Sequence, residues 1–305
     1  MPTGSQLHRD SRLTNLSLAY RNSDFVGATM FPVVPVGKES DYYAVYGKEN
    51  FDIRDTKRAK GAAYQQITHA MSDTQYTVTE HGLKEFIDDD DITNADPIFN
   101  LRTDAAENVM DGLLLRREYD IAAKLFTTSS FTNDTTLSGK DQWSDNNSDP
   151  VKNIFTGKET IKGAVGVEPN TLLIGYQVAN KLRQHPSLLE KLSYNKLQVL
   201  SDEDLAAVLQ IDRVIVGKAQ YNSATEGQTR SIANYVWGKN ALLAYVNPNP
   251  GRKRVSLGYC FQFQAVVSDR WRETELRGEY VRSRFKADYK LTEELCGYYI
   301  SAAIA

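Results

Sequence analysis

Only two cysteines, Cys260 and Cys296, occur in this chain of 305 residues. Both fall in strand-like apolar patterns, where a free thiol behaves as a small buried hydrophobe, so no disulfide is expected. No apolar run reaches the length of about 18 residues that a membrane span needs. The N-terminal MPTGSQLHRDSRL also lacks the apolar centre of a signal peptide, so neither membrane contact nor export is expected. Basic charge gives no excess either: 36 Lys and Arg stand against 39 Asp and Glu, a net charge of -3. Gripping nucleic acid through its phosphates needs a basic surplus on one face, so any such contact should be weak and non-specific.

Signatures of catalysis are equally sparse. His8, His69, His81 and His185 lie far apart, without the i, i+3 or i, i+4 spacing of a helical zinc site. There is no Walker loop, no GxGxxG and no GxSxG, and Gly157, Gly163 and Gly166 are too scattered to cradle a phosphate. The run Asp88 to Asp91, preceded by Glu85, raises the question of a hard cation, but consecutive carboxylates cannot all face one ion. An acidic run ahead of a helix is favoured by the helix dipole. Asp141, Asp145 and Asp149 sit among Asn and Ser in a loop-like stretch and read as solvent-exposed. Arg270, Arg272, Arg277, Arg282 and Arg284 are interleaved with Asp269, Glu273, Glu275 and Glu279, a pattern of salt bridges within the chain or across an interface. No catalytic residue, cofactor or metal ligand is assigned.

What is present is organised around one long helix predicted over residues 96–126. Asp96 is placed as its N-cap and Pro97 at the first helical position. Leu101, Ala105, Val109 and Leu113, with Met110, Leu114, Ile121 and Leu125, form its apolar stripe, and Arg102, Asp104, Glu107, Arg116, Glu118 and Lys124 fall elsewhere. Before it, Met30-Phe31-Pro32-Val33-Val34-Pro35-Val36 is apolar, with prolines that force an extended course and block regular pairing. Such an arm is expected to lie along another surface. Strand signals at 42–46, 64–67 and 76–79 flank a charged loop and predict a projecting hairpin. After a polar loop at 133–150 come helices near 151–164, 177–192 and 202–209 (capped by Ser201), alternating with strands 171–175 and 213–217. Further strand signals follow at 235–237 and 242–246, and the chain past Arg252 is mostly β. The stretch 133–254 thus reads as an insertion between two halves of one domain. Seventeen tyrosines, large in contact area and polar at the tip, fit extensive protein–protein contact.

The order of these parts resembles the major capsid proteins of tailed bacteriophages, the Hong Kong 97-type fold. The strings that carry the resemblance are residues 25–36 (FVGATMFPVVPV), 55–61 (DTKRAKG), Arg117-Glu118 with Ala122, 170–175 (NTLLIG) with His185-Pro186, and 257–261 (LGYCF), where the family commonly has threonine in place of Cys260. The resemblance implies an α+β capsid fold: an N-terminal arm (1–38), an extended β-hairpin loop (39–86), and a peripheral domain (87–149 and 255–305) with spine helix 96–126. An inserted axial α/β domain (150–254) completes it. It also implies hexamers and pentamers in an icosahedral shell around double-stranded DNA, in the virion, assembled in the host bacterial cytoplasm. Separate scaffolding and portal proteins, and in some cases a decoration protein, would be the partners.

The inter-subunit contacts are expected from the arm, through Phe31, Val33 and Val34, and from the hairpin, through Lys48, Arg54, Lys57, Arg58 and Lys60. Lys48, Lys57 and Lys60 are also placed where some members form covalent cross-links, although ordinary ion pairs are the plainer reading. Because the arm begins within a few residues of Met1, scaffolding is expected from a separate protein. An encapsulin-like compartment shell is the alternative on the same fold. A cytosolic α/β enzyme with a site in 151–246 is the alternative from another class.

Overall fold

The computed structural model describes residues 22, 25–95, 100–192, 200–225, 227–229, 234–251 and 253–305. A 3₁₀ turn at Gly27–Met30 leads into β1 (Val33–Pro35). β2 (Ser40–Tyr46) and β3 (Met71–Thr77) form an antiparallel hairpin, and β4 (Thr79–Asp88) follows at once. Then come α1 (Asp89–Asn94), α2 (Leu101–Leu125), β5 (Asp134–Thr136) and α3 (Pro150–Val165). The next elements are β6 (Thr171–Gly175), α4 (Tyr176–Leu182), α5 (Pro186–Leu189), α6 (Asp202–Leu209) and β7 (Arg213–Gly217). Two short strands, β8 (Gln220–Tyr221) and β9 (Asn234–Tyr235), precede β10 (Ala241–Ala244). The chain closes with β11 (Gly258–Glu273), β12 (Gly278–Leu291) and β13 (Gly297–Ser301).

Helix α2 runs about 37 Å at 1.5 Å per residue. Asn100 caps it by accepting the Thr103 N–H at 3.3 Å, so the helix starts later than the sequence predicts; Asp96 and Pro97 lie outside the described residues. Its buried stripe contains Ala105, Val109, Leu113, Ile121, Ala122 and Leu125 as the periodicity requires, and also Glu118, which the sequence placed on the polar side. The first half of α2 packs on the sheet β1-β11-β12-β4, with Ala105 against Ile87 and Val281. In β12, Val281, Ser283, Phe285 and Ala287 point to the core while Arg282, Arg284 and Lys286 alternate on the other face, the period of two expected of a half-buried strand. Those cations are matched inside the chain: Arg282 with Asp269 at 2.7 Å, Arg284 with Glu80 at 3.3 Å, and Lys286 with Glu39 at 2.7 Å. Arg272 pairs with Asp89 at 2.7 Å, and Glu279 holds both Arg270 and, from α2, Arg102. Asp88, within the acidic run, caps α1 by accepting the Asp90 N–H.

The second sheet has the order β5-β13-β10-β6-β7. β6 and β7 are parallel, which requires the crossover that α4, α5 and α6 supply. Leu172, Ile174, Ala241, Leu243, Tyr298 and Ile300 face the core shared with α3, α4 and α6. Leu173, Leu242 and Tyr299, from the opposite face, join the core of α2, β11 and β12. Local chemistry sets the helix ends. Asp149 caps α3 with Pro150 behind it, and Gly166 ends it at φ +79°. Ser201 and Asp204 form a reciprocal capping box on α6.

Several expectations are corrected here. The 64–67 stretch is not a strand: the hairpin ladder ends at Tyr46 opposite Met71, and the side chains of 64–67 are exposed. The apolar arm does pair, as Val33–Pro35 lies parallel to Cys260–Gln262. Pro35 is tolerated because β1 is an edge strand. The polar loop 133–150 contributes β5 and a fully buried Trp143. Strand membership also crosses the expected ranges. β4 leaves the hairpin to pair with β12, and β13 pairs with both β10 and β5 in the second sheet, where Tyr298, Tyr299 and Ile300 are buried. The second sheet thus takes one strand, β13, from beyond the stretch 133–254.

Candidate assembly surfaces

The hairpin is anchored at its base and free at its end. Tyr43 and Tyr76 stack on Phe261 of β11, with ring centroids at 5.3 and 4.6 Å, and Lys290 donates to the Gln75 carbonyl. Just beyond the ladder, Lys48 Nζ donates to the Ala164 carbonyl at 2.8 Å, satisfying a carbonyl at the C-terminus of α3, and the Phe51 ring lies over Gly166. Glu49 closes the neck by accepting the Ala70 N–H at 3.2 Å. Past this point, 52–70 has no regular structure. Arg54 is half-buried and donates to the Glu49 carbonyl at 3.0 Å. Lys57, Arg58 and Lys60 are exposed, Arg58 stacking 4.4 Å over Tyr64 and donating to the Ala62 carbonyl at 2.6 Å. Among them stand large apolar side chains open to solvent: Ile53 at 103%, Tyr64 at 79% and Ile67 at 57% exposure.

The arm residues separate. Val33 is 50% exposed and Val34 half-buried on β1. Phe31 is fully buried in its own subunit, edge-on to Tyr289 at 5.7 Å, with its ring where a Cβ on residue 258 would stand. A side chain with no surface cannot meet a neighbour, so Phe31 is a core residue. Between arm, hairpin and body opens a cleft of 1170 Å³ lined by Val33, Tyr43, Val45, Val165, Tyr245 and Tyr259, among others.

Sequence reasoning missed the polar centre at the root of the arm. Glu118, fully buried on α2, accepts the N–H groups of Val26 and Gly27 at 2.9 and 2.8 Å and the Trp237 indole N–H at 2.7 Å. Burial pushes its carboxyl above the usual range, and the three donors pull it partly back. The available signal was a charged residue within one turn of Ile121 and Ala122, in a stripe otherwise apolar. Among the described residues, no three His, Cys, Asp or Glu side chains gather as metal ligands would, and no helix is long and apolar enough to cross a membrane.

No protein-family model matches the chain. It is 31% identical over 240 residues to the major capsid protein of Burkholderia phage BcepMu, an alignment covering 78% of this chain and 76% of that protein. Among solved structures, a phage-related protein from Bordetella bronchiseptica RB50 superposes with a TM-score of 0.72 at 25% identity, over 96% of this chain and 97% of that one. The capsid of cyanophage P-SCSP1u gives a TM-score of 0.67 at 11% identity, over 97% and 93% of the two chains. The mixed helix and sheet architecture is thus that of phage capsid proteins. The chain belongs to the family of phage major capsid proteins, and its role is that of a structural protein of the capsid shell.

Proposed function

We propose that this capsid protein assembles as hexamers and pentamers into an icosahedral shell around double-stranded DNA, in the Hong Kong 97-type arrangement. Its working place is the virion, after assembly in the bacterial cytoplasm. The hairpin through Thr77 is the extended loop, and β1 with the chain before it is the arm. β4, α1, α2, β11 and β12 make the peripheral domain, with α2 as spine. The elements from α3 to β10, joined by β5 and β13, make the axial domain. Inter-subunit contact falls to Val33, Val34 and the hairpin residues Lys48, Arg54, Lys57, Arg58 and Lys60.

The observation that carries this reading is the hairpin end, where Ile53, Tyr64 and Ile67 stand in water beside three exposed cations. Exposed apolar groups rimmed by charge mark a surface built for another protein. Scaffolding and portal proteins, and a decoration protein where one binds, are the further partners. Packaged DNA is touched weakly, since most arginines of the peripheral sheet already have carboxylates. The test is negative-stain electron microscopy with light scattering on the protein expressed alone and with its neighbouring head genes. Uniform shells or capsomer rings are expected; a stable monomer under both conditions would overturn the proposal.

A further inference from the structure

Glu118 joins three parts of the molecule that are distant in sequence. Its Oε1 accepts from both Val26 N–H of the arm and Trp237 Nε1–H of the segment between β9 and β10, while Oε2 accepts from Gly27 N–H. The approach is so close that a Cβ on residue 27 would lie 2.9 Å from Oε2 and 3.0 Å from Ile121. A second clamp holds the arm a few residues earlier. Asn22 donates through Nδ2 to the Gln220 carbonyl at 3.0 Å and accepts the Gln220 N–H at 2.9 Å, so its amide pairs with the backbone at β8.

Trp237 is seated as firmly. It fills the space above Gly217, at the end of β7, where a Cβ would come within 2.0 Å, and it meets Phe126, the C-cap of α2, edge-on at 5.1 Å. Beside it lies a cleft of 200 Å³ bounded by Tyr119, Phe126, Tyr221 and Val236. A buried carboxylate is a poor choice for stability alone, because an apolar residue of similar volume serves a core as well or better. What a carboxylate adds is direction: it fixes three donors relative to one another.

We infer that Glu118 is a positioning residue for shell assembly, a buckle through which the arm root reports to the junction between α2 and the second sheet. This rests on reading the arm as an inter-subunit element. Because one oxygen serves both Val26 and Trp237, a neighbour that displaces the arm must disturb the indole that sets how the second sheet sits on α2. Arm engagement and the angle between the two cores are therefore coupled, and a shell of one size needs that angle held.

The full chain is compared as wild type, Glu118→Gln, Trp237→Phe and Asn22→Ala, under conditions where the wild type forms shells. Glu118→Gln keeps the volume and one accepting oxygen but loses the charge and turns an NH₂ toward either Gly27 N–H or the Val26 and Trp237 pair. Hydrogen exchange of at least one of Val26 and Gly27 is expected to rise about tenfold or more, the loss of a hydrogen bond to a charged group. Particles should broaden from one size to a mixture, with wild-type far-UV circular dichroism. Trp237→Phe, which removes the indole donor without leaving a new one unpaired, should broaden the particles in the same way, and it decides the matter if Glu118→Gln does not fold. Asn22→Ala should speed exchange at Val26 and Gly27 to a smaller degree. Uniform wild-type particles from Glu118→Gln or Trp237→Phe, or unchanged exchange at Val26 and Gly27 in Glu118→Gln, would overturn the inference. If the wild type itself forms no shell, the shell reading fails instead, and exchange at Val26 and Gly27 still tests the Glu118 contact.

Discussion

Truncating Phe31 to alanine separates a role inside the subunit from a role between subunits. The ring is fully buried, lies edge-on to Tyr289 and fills the space left by Gly258. Removing a phenyl group from such a site costs about 3–5 kcal/mol, including the aromatic pair. In a chain of this length each kcal/mol moves Tm by roughly 2 °C, so the unassembled subunit should melt about 6–10 °C lower. Val33→Ala, on the same arm but half exposed, should cost less than about 1 kcal/mol in the same assay. Calorimetry on dilute, unassembled protein reads both. A Phe31→Ala subunit that melts with the wild type, while its shells come apart at lower denaturant, would refute the reasoning and return Phe31 to the interface.

Gly217→Ala should cost about 3 kcal/mol or more, measured by urea unfolding, because the added methyl would stand 2.0 Å from the Trp237 ring. Ser201→Ala removes the α6 capping box and should cost about 1 kcal/mol in the same assay. Burial pushes the Cys260 thiol to about 11 and the Cys296 thiol to about 12. Native protein at pH 8 should therefore resist iodoacetamide, with both cysteines labelling only after denaturation, as mass spectrometry will read. The pH response should split by site. Asp269 is held low by Arg282, and Glu80 by Arg284 and Lys286, so they add stability above the ordinary carboxylate range, lost as pH falls through their native values. Glu118 is raised, so it binds its proton more tightly when folded, and its burial costs stability as pH rises from the unfolded value through the native one. Urea unfolding should show the wild type gaining on Glu118→Gln as pH falls from about 7 to 4, and the Asp269→Asn deficit shrinking only on further acidification below about pH 4.

How much could be read from the sequence depended on whether the cause was local. α6 and the strands at 171–175 and 213–217 fall where the sequence puts them, since a capping serine and short apolar runs act within a few residues. The α2 stripe was legible for the same reason. Glu118 was not, because what buries it lies 91 and 119 residues away, in Gly27 and Trp237. The pairing of β5 with β13 is not legible either: three and five residues carry no mark of which sheet will accept them. On the arm, two prolines argued against pairing, and the exposed edge of β11 outweighed them. The exposure of Lys57, Arg58 and Lys60 follows from charge in a long loop. The burial of Phe31 is not legible, because nothing in its neighbours signals the space over Gly258.

The division between closed and open surfaces suits a protein that must fold before it assembles. Along the sheet β1-β11-β12-β4, Asp269, Glu80, Glu39 and Asp89 pair within the chain, so that face is settled in a single subunit. The hairpin end is the reverse. Ile53, Tyr64 and Ile67 gain nothing until another surface covers them, and each is then worth about 1.5–3 kcal/mol if fully buried. Three such side chains offer roughly 4–9 kcal/mol per contact before the ordering of 52–70 and the loss of subunit freedom are charged against them. The remainder for one pair of subunits is small. If the hairpin end is the proposed contact, a growing shell repeats it, so a newly added subunit, held at few places, can leave and correct its position. One surrounded by neighbours is held at all of them.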